Sequence, residues 1–207
     1  SMNNGDTILL VKNQYNELGQ LVDKKLHKNG NENFHQGTDF RYNIRGWLTS
    51  INNSGLSNDG GSTNNDSDDL FGMNLVYNQE TINIGGTNTQ SLYDGRISAV
   101  KWTSNNQKEP PKERGYNYYY DSKARFQESK FAAKTSGSFT DEAGYYNTQT
   151  PQYDENGNIK QLKRYGKVSG SATLIDDLTY GYGSNGNQLT TVEDAASASV
   201  SKFGYPN

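Results

Sequence analysis

The chain has no cysteine and four prolines in 207 residues, and it has no long apolar run. Without cysteine, neither a disulfide framework nor a thiolate zinc site can form. No stretch approaches the ~20 apolar residues of a membrane-spanning helix. The opening Ser1-Met2-Asn3-Asn4-Gly5 lacks signal-peptide character. Ser1-Met2 reads as a cloning remnant, which leaves residues 3–207 as a segment of something longer. Neither sign of charge dominates: the formal net charge is −3 and the pI about 5.4, so no basic footprint marks a nucleic-acid partner. The two histidines, His27 and His35, lack the Asp/Ser or Cys company that nucleophilic catalysis needs. No catalytic residue, metal site or cofactor is assigned, and a non-enzymatic role is expected.

Tyrosine and glycine, by contrast, are plentiful, with 15 and 22 copies. Disordered chains are poor in aromatics, so this chain is expected to fold. Hydrophobic residues make up 31% of it, a low share that suits a sheet with one wet face.

The tyrosines recur in a phrase: Tyr, then Asn or Asp, two further residues, Gly, one more residue and an aliphatic. It reads Tyr15-Asn16-Glu17-Leu18-Gly19-Gln20-Leu21, Tyr42-Asn43-Ile44-Arg45-Gly46-Trp47-Leu48 and Tyr153-Asp154-Glu155-Asn156-Gly157-Asn158-Ile159. Degenerate copies are Tyr93-Asp94-Gly95-Arg96-Ile97, Tyr120-Asp121-Ser122-Lys123-Ala124-Arg125-Phe126 and Tyr182-Gly183-Ser184-Asn185-Gly186-Asn187-Gln188-Leu189. Successive phrase tyrosines stand 27, 51, 27, 33 and 29 residues apart, with a remnant, Leu75-Val76-Tyr77-Asn78, inside the longest step. Such repetition marks an array whose units bury their cores by stacking.

A type I turn favours Asn or Asp at its first position and Gly at its fourth. Asn16 to Gly19, Asn43 to Gly46 and Asp154 to Gly157 fit, which makes each phrase a hairpin corner with the tyrosine ending one strand. Asp94-Gly95 reads as a tighter, primed hairpin turn. Ala124 stands where Gly is expected, and Gly183 where Asx is expected.

Strand character is read at 7–14, 20–26, 34–42, 47–52, 71–77, 82–84, 98–104, 116–120, 126–131, 159–164, 178–182 and 189–193, with a turn at Asn29-Gly30. The polar, Gly-rich stretch 52–69 reads as a long mobile loop, and 105–114 as another. Aromatics at alternate positions, Phe40 and Tyr42, Tyr118 and Tyr120, Tyr180 and Tyr182, fall on one strand face and would form cross-strand ladders. The expected fold is all-β: successive antiparallel β-hairpins forming a curved sheet whose open edges favour edge-to-edge self-association.

These corners resemble the YD repeats of the Rhs (rearrangement hotspot) family, which includes bacterial polymorphic toxins, the shells of insecticidal Tc toxins and animal teneurins. The stretches Tyr15 to Leu21, Phe40 to Ile51 and Tyr93 to Trp102 are similar to the variety common in Bacteroidetes. The resemblance implies a sheet spiralling into a hollow shell that encloses a C-terminal domain or serves as a surface scaffold. Its partners would be the remaining repeats of the parent chain and an enclosed domain, and its location secreted or at the bacterial surface. The core region that follows the repeats in toxin members, with its self-cleaving aspartyl site, has no match here. Neither proteolysis nor toxicity is therefore carried over.

Three aromatics offer a rival role. Trp47 and Trp102 each follow a corner, and Tyr119 must face away from Tyr118 and Tyr120. Exposed, they would stack on a glycan, a ligand class also proposed for YD repeats, and the chain would be a carbohydrate-binding module. Buried, they fill the packed face. Asp59, Asp66, Asp68 and Asp69, with Asn58, Asn64 and Asn65, offer oxygen ligands but lack an EF-hand register. They read as a solvated loop. Lys160, Lys163, Arg164 and Lys167 read as a solvated strand and not as a polyanion patch.

Overall fold

The computed structural model describes residues 8–28, 34–57, 69–78, 80–106, 110–184, 186–197, 200 and 203–204. Part of the 52–69 loop, residues 58–68, lies outside them, as do the Asn29-Gly30 turn and the Asp59, Asp66 and Asp68 cluster with its asparagines. The regular elements are strands: β1 (Val11–Tyr15), β2 (Leu21–Lys28), β3 (Phe34–Tyr42), β4 (Leu48–Ile51), β5 (Phe71–Val76), β6 (Asn83–Ile84), β7 (Thr87–Asn88), β8 (Ala99–Ser104), β9 (Arg114–Tyr120), β10 (Phe126–Thr135), β11 (Ser138–Asp141), β12 (Thr148–Tyr153), β13 (Ile159–Val168), β14 (Ser171–Tyr182) and β15 (Leu189–Asp194). The protein is all-β and built of antiparallel hairpins, as its corner phrases require. The exception among the described residues is a parallel contact between Phe139 and Ile84. β7, β11 and β12 were not legible as strands.

The chain forms two compact units, one of residues 1–75 and 101–113, the other of 76–100 and 114–207. In the first, β1, β2, β3, β4 and β5 lie in sequence order. Its buried side chains, among the described residues, are polar: Asp23, Asp39, Ser50, Asn52, Ser54, Asp69 and Thr103. Asn52, at the end of β4, carries much of this order. Its backbone is left-handed (φ 48°), which takes it out of the regular ladder, and its side chain replaces what the ladder loses. The Asn52 N–H donates to the Asp39 carbonyl at 2.7 Å, and its Oδ1 accepts the Asp39 N–H at 2.7 Å. Its amide donates to the Phe71 carbonyl at 2.7 Å. One residue thus ties β3, β4 and β5 together.

In the second unit β9, β10, β12, β13, β14 and β15 follow one another, with β11 beside β10. Its apolar core gathers Val76, Ile82, Ile84, Ala99, Ala132 and Phe139. Gly115 lies so close beneath that a Cβ there would stand 2.7 Å from Ile84 Cδ1. The buried Asn117 pins the β6–β7 hairpin by donating to the Thr87 carbonyl at 2.7 Å. On the opposite face of β9, Tyr116, Tyr118 and Tyr120 meet Phe131 and Phe126, with ring centroids 5.1, 6.4 and 6.5 Å apart in that order. The expected ladder at Tyr118 and Tyr120 is therefore present, and Tyr119 does face the other way.

Two kinds of turn close the hairpins. The first is the tyrosine corner. The second is the two-residue primed turn, which needs positive φ at both central residues. It occurs at Gly85-Gly86 (59° and 82°), Ser136-Gly137 (50° and 89°) and Ser169-Gly170 (50° and 83°). Asp94-Gly95 is not such a turn: only Gly95 has positive φ (93°). Its flanks bond elsewhere, with the Leu92 N–H donating to the Tyr77 carbonyl (3.0 Å) and the Ser98 N–H to the Val76 carbonyl (2.8 Å). The start of the 52–69 loop is also ordered differently from expectation. Asn53 to Leu56 form a further Asx corner, with the Leu56 N–H on the Asn53 carbonyl at 3.0 Å and Leu56 at φ 51°.

Candidate functional site

The corners share one geometry. In the first, the Gly19 N–H donates to the Asn16 carbonyl at 3.0 Å, and the Asn16 N–H to the Gln20 carbonyl at 2.9 Å. Asn16 Oδ1 accepts the N–H groups of Leu18 (3.0 Å) and Gln20 (2.9 Å). Asn43 repeats this with Arg45 (2.9 Å) and Trp47 (3.0 Å), and Asp121 with Lys123 and Arg125 (both 2.9 Å). Asp154 holds the Asn158 N–H at 2.8 Å, and the Gly157 N–H reaches the Asp154 carbonyl at 3.2 Å. The fourth turn residue is left-handed each time, which makes a type I turn followed by a bulge. Gly19, Gly46 and Gly157 adopt that conformation freely. Ala124 adopts it too (φ 64°), because the Asp121 carboxylate and the flanking strand pairing hold it there. In the last corner Gly183 has no side chain to organise the turn, and the loop closes one residue later, the Gly183 N–H donating to the Gln188 carbonyl at 2.8 Å.

In four of the six phrases the opening tyrosine does not serve its own corner. The Tyr42 hydroxyl donates to the carbonyl of Leu21 at 3.0 Å, the first strand residue after the preceding corner. Tyr120 does the same to Ile97 at 2.9 Å, Tyr153 to Phe126, and Tyr182 to Ile159 at 2.9 Å. Each acceptor follows the previous corner at the phrase's aliphatic position. These are latches between successive repeats.

A basic side chain covers three of the latched rings. Arg96 Cζ lies 4.7 Å from the Tyr120 ring centroid, Arg125 Cζ 4.3 Å from Tyr153, and Lys160 Nζ 5.9 Å from Tyr182. The two arginines are held by their own corner's aspartate, Arg96 Nη2 at 2.8 Å from Asp94 and Arg125 Nη2 at 2.6 Å from Asp121. Such cation–π contacts are worth ~0.5–1 kcal/mol at exposed sites. Asp, Arg and the next Tyr thus form a chain of contacts from one repeat to its neighbour. In the Asp154 corner, Asn158 stands where the arginine would. It bonds Asp154 Oδ2 at 2.8 Å and also reaches the Gly186 carbonyl of the next corner at 2.8 Å.

These contacts set the chemistry of the carboxylates. The Arg96 guanidinium holds Asp94 below the usual carboxylate range. The Arg125 N–H and guanidinium lower Asp121, and the Asn158 amide lowers Asp154. A lowered carboxylate stays ionised near neutral pH, which suits holding a turn and not donating a proton. Burial pushes the phenol of Tyr116 up to about 12 and raises Tyr118 and Tyr120 as well.

The other residues singled out from sequence lie apart from the latches. Tyr15 and Tyr93 are exposed. Trp47 is half-buried, with Arg45 5.1 Å from its ring centroid, and Trp102 is half-buried. Tyr119 borders an open cavity of about 280 Å³ lined also by Gln90, Gln127, Glu128 and Gln149. Its hydroxyl donates to the Asn88 carbonyl at 3.0 Å, and Lys130 Nζ lies 5.5 Å from its ring. His27 and His35 are neighbours across β2 and β3, ring centroids 5.2 Å apart. The basic group on β13 is dispersed among partners. Lys163 meets Asp177 at 3.4 Å, Arg164 meets the fully buried Asp176 at 2.6 Å, and Lys167 lies over Tyr145.

No protein-family model matches this chain, and no curated protein is significantly similar to it in sequence. The likeness to YD repeats therefore rests on the corner residues themselves.

Proposed function

We propose that this chain is a wall segment: a structural, encapsulating scaffold from a secreted or surface protein of the Rhs/YD-repeat kind. The supporting observation is the latch, in which four tyrosines each reach back to the corner before. The most repeated residues of the sequence are thereby committed to joining repeats, and the corner carboxylates to holding turns. A device of that kind lengthens a sheet. In the parent protein, the domain enclosed by such a wall resists protease. Loosening the wall by replacing the latch tyrosines with phenylalanine exposes that domain to cleavage. A domain digested equally fast with and without the repeats would end this reading.

The second reading, a carbohydrate-binding module, draws on Tyr119 and its amide-rich cavity. Gln90, Gln127 and Gln149 offer both donors and acceptors for sugar hydroxyls. Against it, Lys130 already occupies one face of the ring. Glycan-array binding that disappears in Tyr119→Ala would favour this reading over the wall, and signal unchanged by that substitution would discard it.

A further inference from the structure

At the two ends of the strand series the latch rule leaves a donor position, Tyr15, and an acceptor position, Leu189. Tyr42, Tyr120, Tyr153 and Tyr182 are half-buried, whereas Tyr15 is 59% exposed. Among the described residues, the Tyr15 hydroxyl is met by the Asn13 side-chain amide, at 3.4 Å. At the other end, Leu189 follows the last corner as Leu21 follows the first, pairing with Tyr182 as Leu21 pairs with Tyr15. Leu21, Ile97, Phe126 and Ile159 are half-buried at this position, while Leu189 is 48% exposed.

The strands carrying these residues are edges. Among the described residues, β1 pairs with β2 alone and β15 with β14 alone. Ile8, Leu9 and Leu10, which lead into β1, and Val11, its first residue, are all exposed. Such an edge is a template for another strand.

We propose that β1 of one copy of this chain pairs antiparallel with β15 of a second copy, head to tail, with Tyr15 latched on the Leu189 carbonyl. Latched strands within the chain fix the register. At the Tyr42 and Tyr182 latches the residue two after the acceptor lies opposite the residue three before the tyrosine, as Asp23 opposite Asp39 and Gln161 opposite Thr179, while at the Tyr153 latch Glu128 lies opposite Gln149, one residue off. The same rule places Thr191 opposite Lys12 and Val192 opposite Val11, with Glu193 diagonal to Lys12. The match is complementary in character, valine on valine and a carboxylate beside an ammonium. A contact between two different surfaces leaves an edge free on each copy, so it propagates beyond a dimer unless the rotation closes. The proposal rests on the repeat geometry of the wall reading and not on what a wall encloses.

The test uses the absence of cysteine. In Lys12→Cys/Thr191→Cys, the only two thiols face each other across the interface, and mild oxidation yields a ladder of disulfide-linked oligomers that reductant collapses. The pair Lys12→Cys/Thr190→Cys, one residue out and on the opposite face, gives a much fainter ladder. In the cysteine-free chain, Tyr15→Phe weakens concentration-dependent association about 2- to 10-fold, the equivalent of one hydrogen bond, with the melting temperature unchanged. Three results overturn the proposal: equal ladders from both pairs, efficient dimer from Lys12→Cys alone (which indicates β1 meeting β1), or a chain that stays monomeric at high concentration. A monomeric chain whose repeats still shield the enclosed domain, with Tyr→Phe at the latches exposing it to protease, would leave the wall reading standing.

Discussion

The Tyr182 hydroxyl donates to the Ile159 carbonyl at 2.9 Å, across to the strand that follows the preceding corner. Replacing that tyrosine by phenylalanine keeps the ring and removes only the bond. Tyr182→Phe should therefore lose about 0.5–1.5 kcal/mol of stability, read as a lower urea midpoint at unchanged slope. Tyr42→Phe and Tyr120→Phe should each behave alike. A midpoint unchanged in all three would show that the ring alone does the joining.

Ala124 tests the turn. A non-glycine residue held left-handed costs roughly 1–2 kcal/mol, while glycine costs ~0.5–1 kcal/mol in chain entropy. Ala124→Gly should thus stabilise the second unit by about 0.5–1 kcal/mol. Gly157→Ala should shift the midpoint the other way.

Asp121 separates turn chemistry from charge. Asn16 and Asn43 make the same pair of backbone bonds without a charge, so Asp121→Asn should keep the corner and lose only the Arg125 ion pair. Asp121→Ala loses both. The expected order of denaturation midpoints is wild type, then Asn, then Ala, with the larger step between Asn and Ala.

Asn52 is the joint of the first unit. Asn52→Ala leaves the Asp39 N–H and the Phe71 carbonyl without their side-chain partner, at about 1–3 kcal/mol for each group left unsatisfied. Hydrogen exchange should rise across β3, β4 and β5 together. An increase confined to β4 would refute the three-strand role.

The corner carboxylates and the tyrosine face set opposite pH limits. Asp94, Asp121 and Asp154 have lowered folded values, so their contribution is full above the ordinary carboxylate range, about 4. It is lost as pH falls through the lowered values. Tyr116 moves from 10.0 up to about 12: below pH 10 both states are protonated, and from 10 to 12 the unfolded phenol ionises first. Stability should therefore fall through that interval. Melting curves at acid and alkaline pH, with tyrosinate absorbance at the alkaline end, check both limits.

Much of this fold was legible because the corner signal is local. Asx at the first turn position and Gly at the fourth declare themselves within four residues, and even Ala124 did not break the pattern. What failed was non-local or masked. Asp94-Gly95 looks like a primed turn, but its flanks bond to Val76 and Tyr77, a preference set by residues far back in the chain. The primed turns at Ser136-Gly137 and Ser169-Gly170 carry a Ser-Gly signal that polar neighbours dilute. β12 was hidden by Pro151, which has no N–H to offer a ladder. The latches were invisible because their acceptors are backbone carbonyls, which leave no trace in the residue type.

The direction of those latches bears on how the protein is made. Every latch tyrosine points toward an earlier part of the chain, so each newly synthesised corner finds its anchor already emerged from the ribosome. Growth of the sheet can keep pace with translation, and an interrupted product would still carry finished, fastened hairpins behind its last residue.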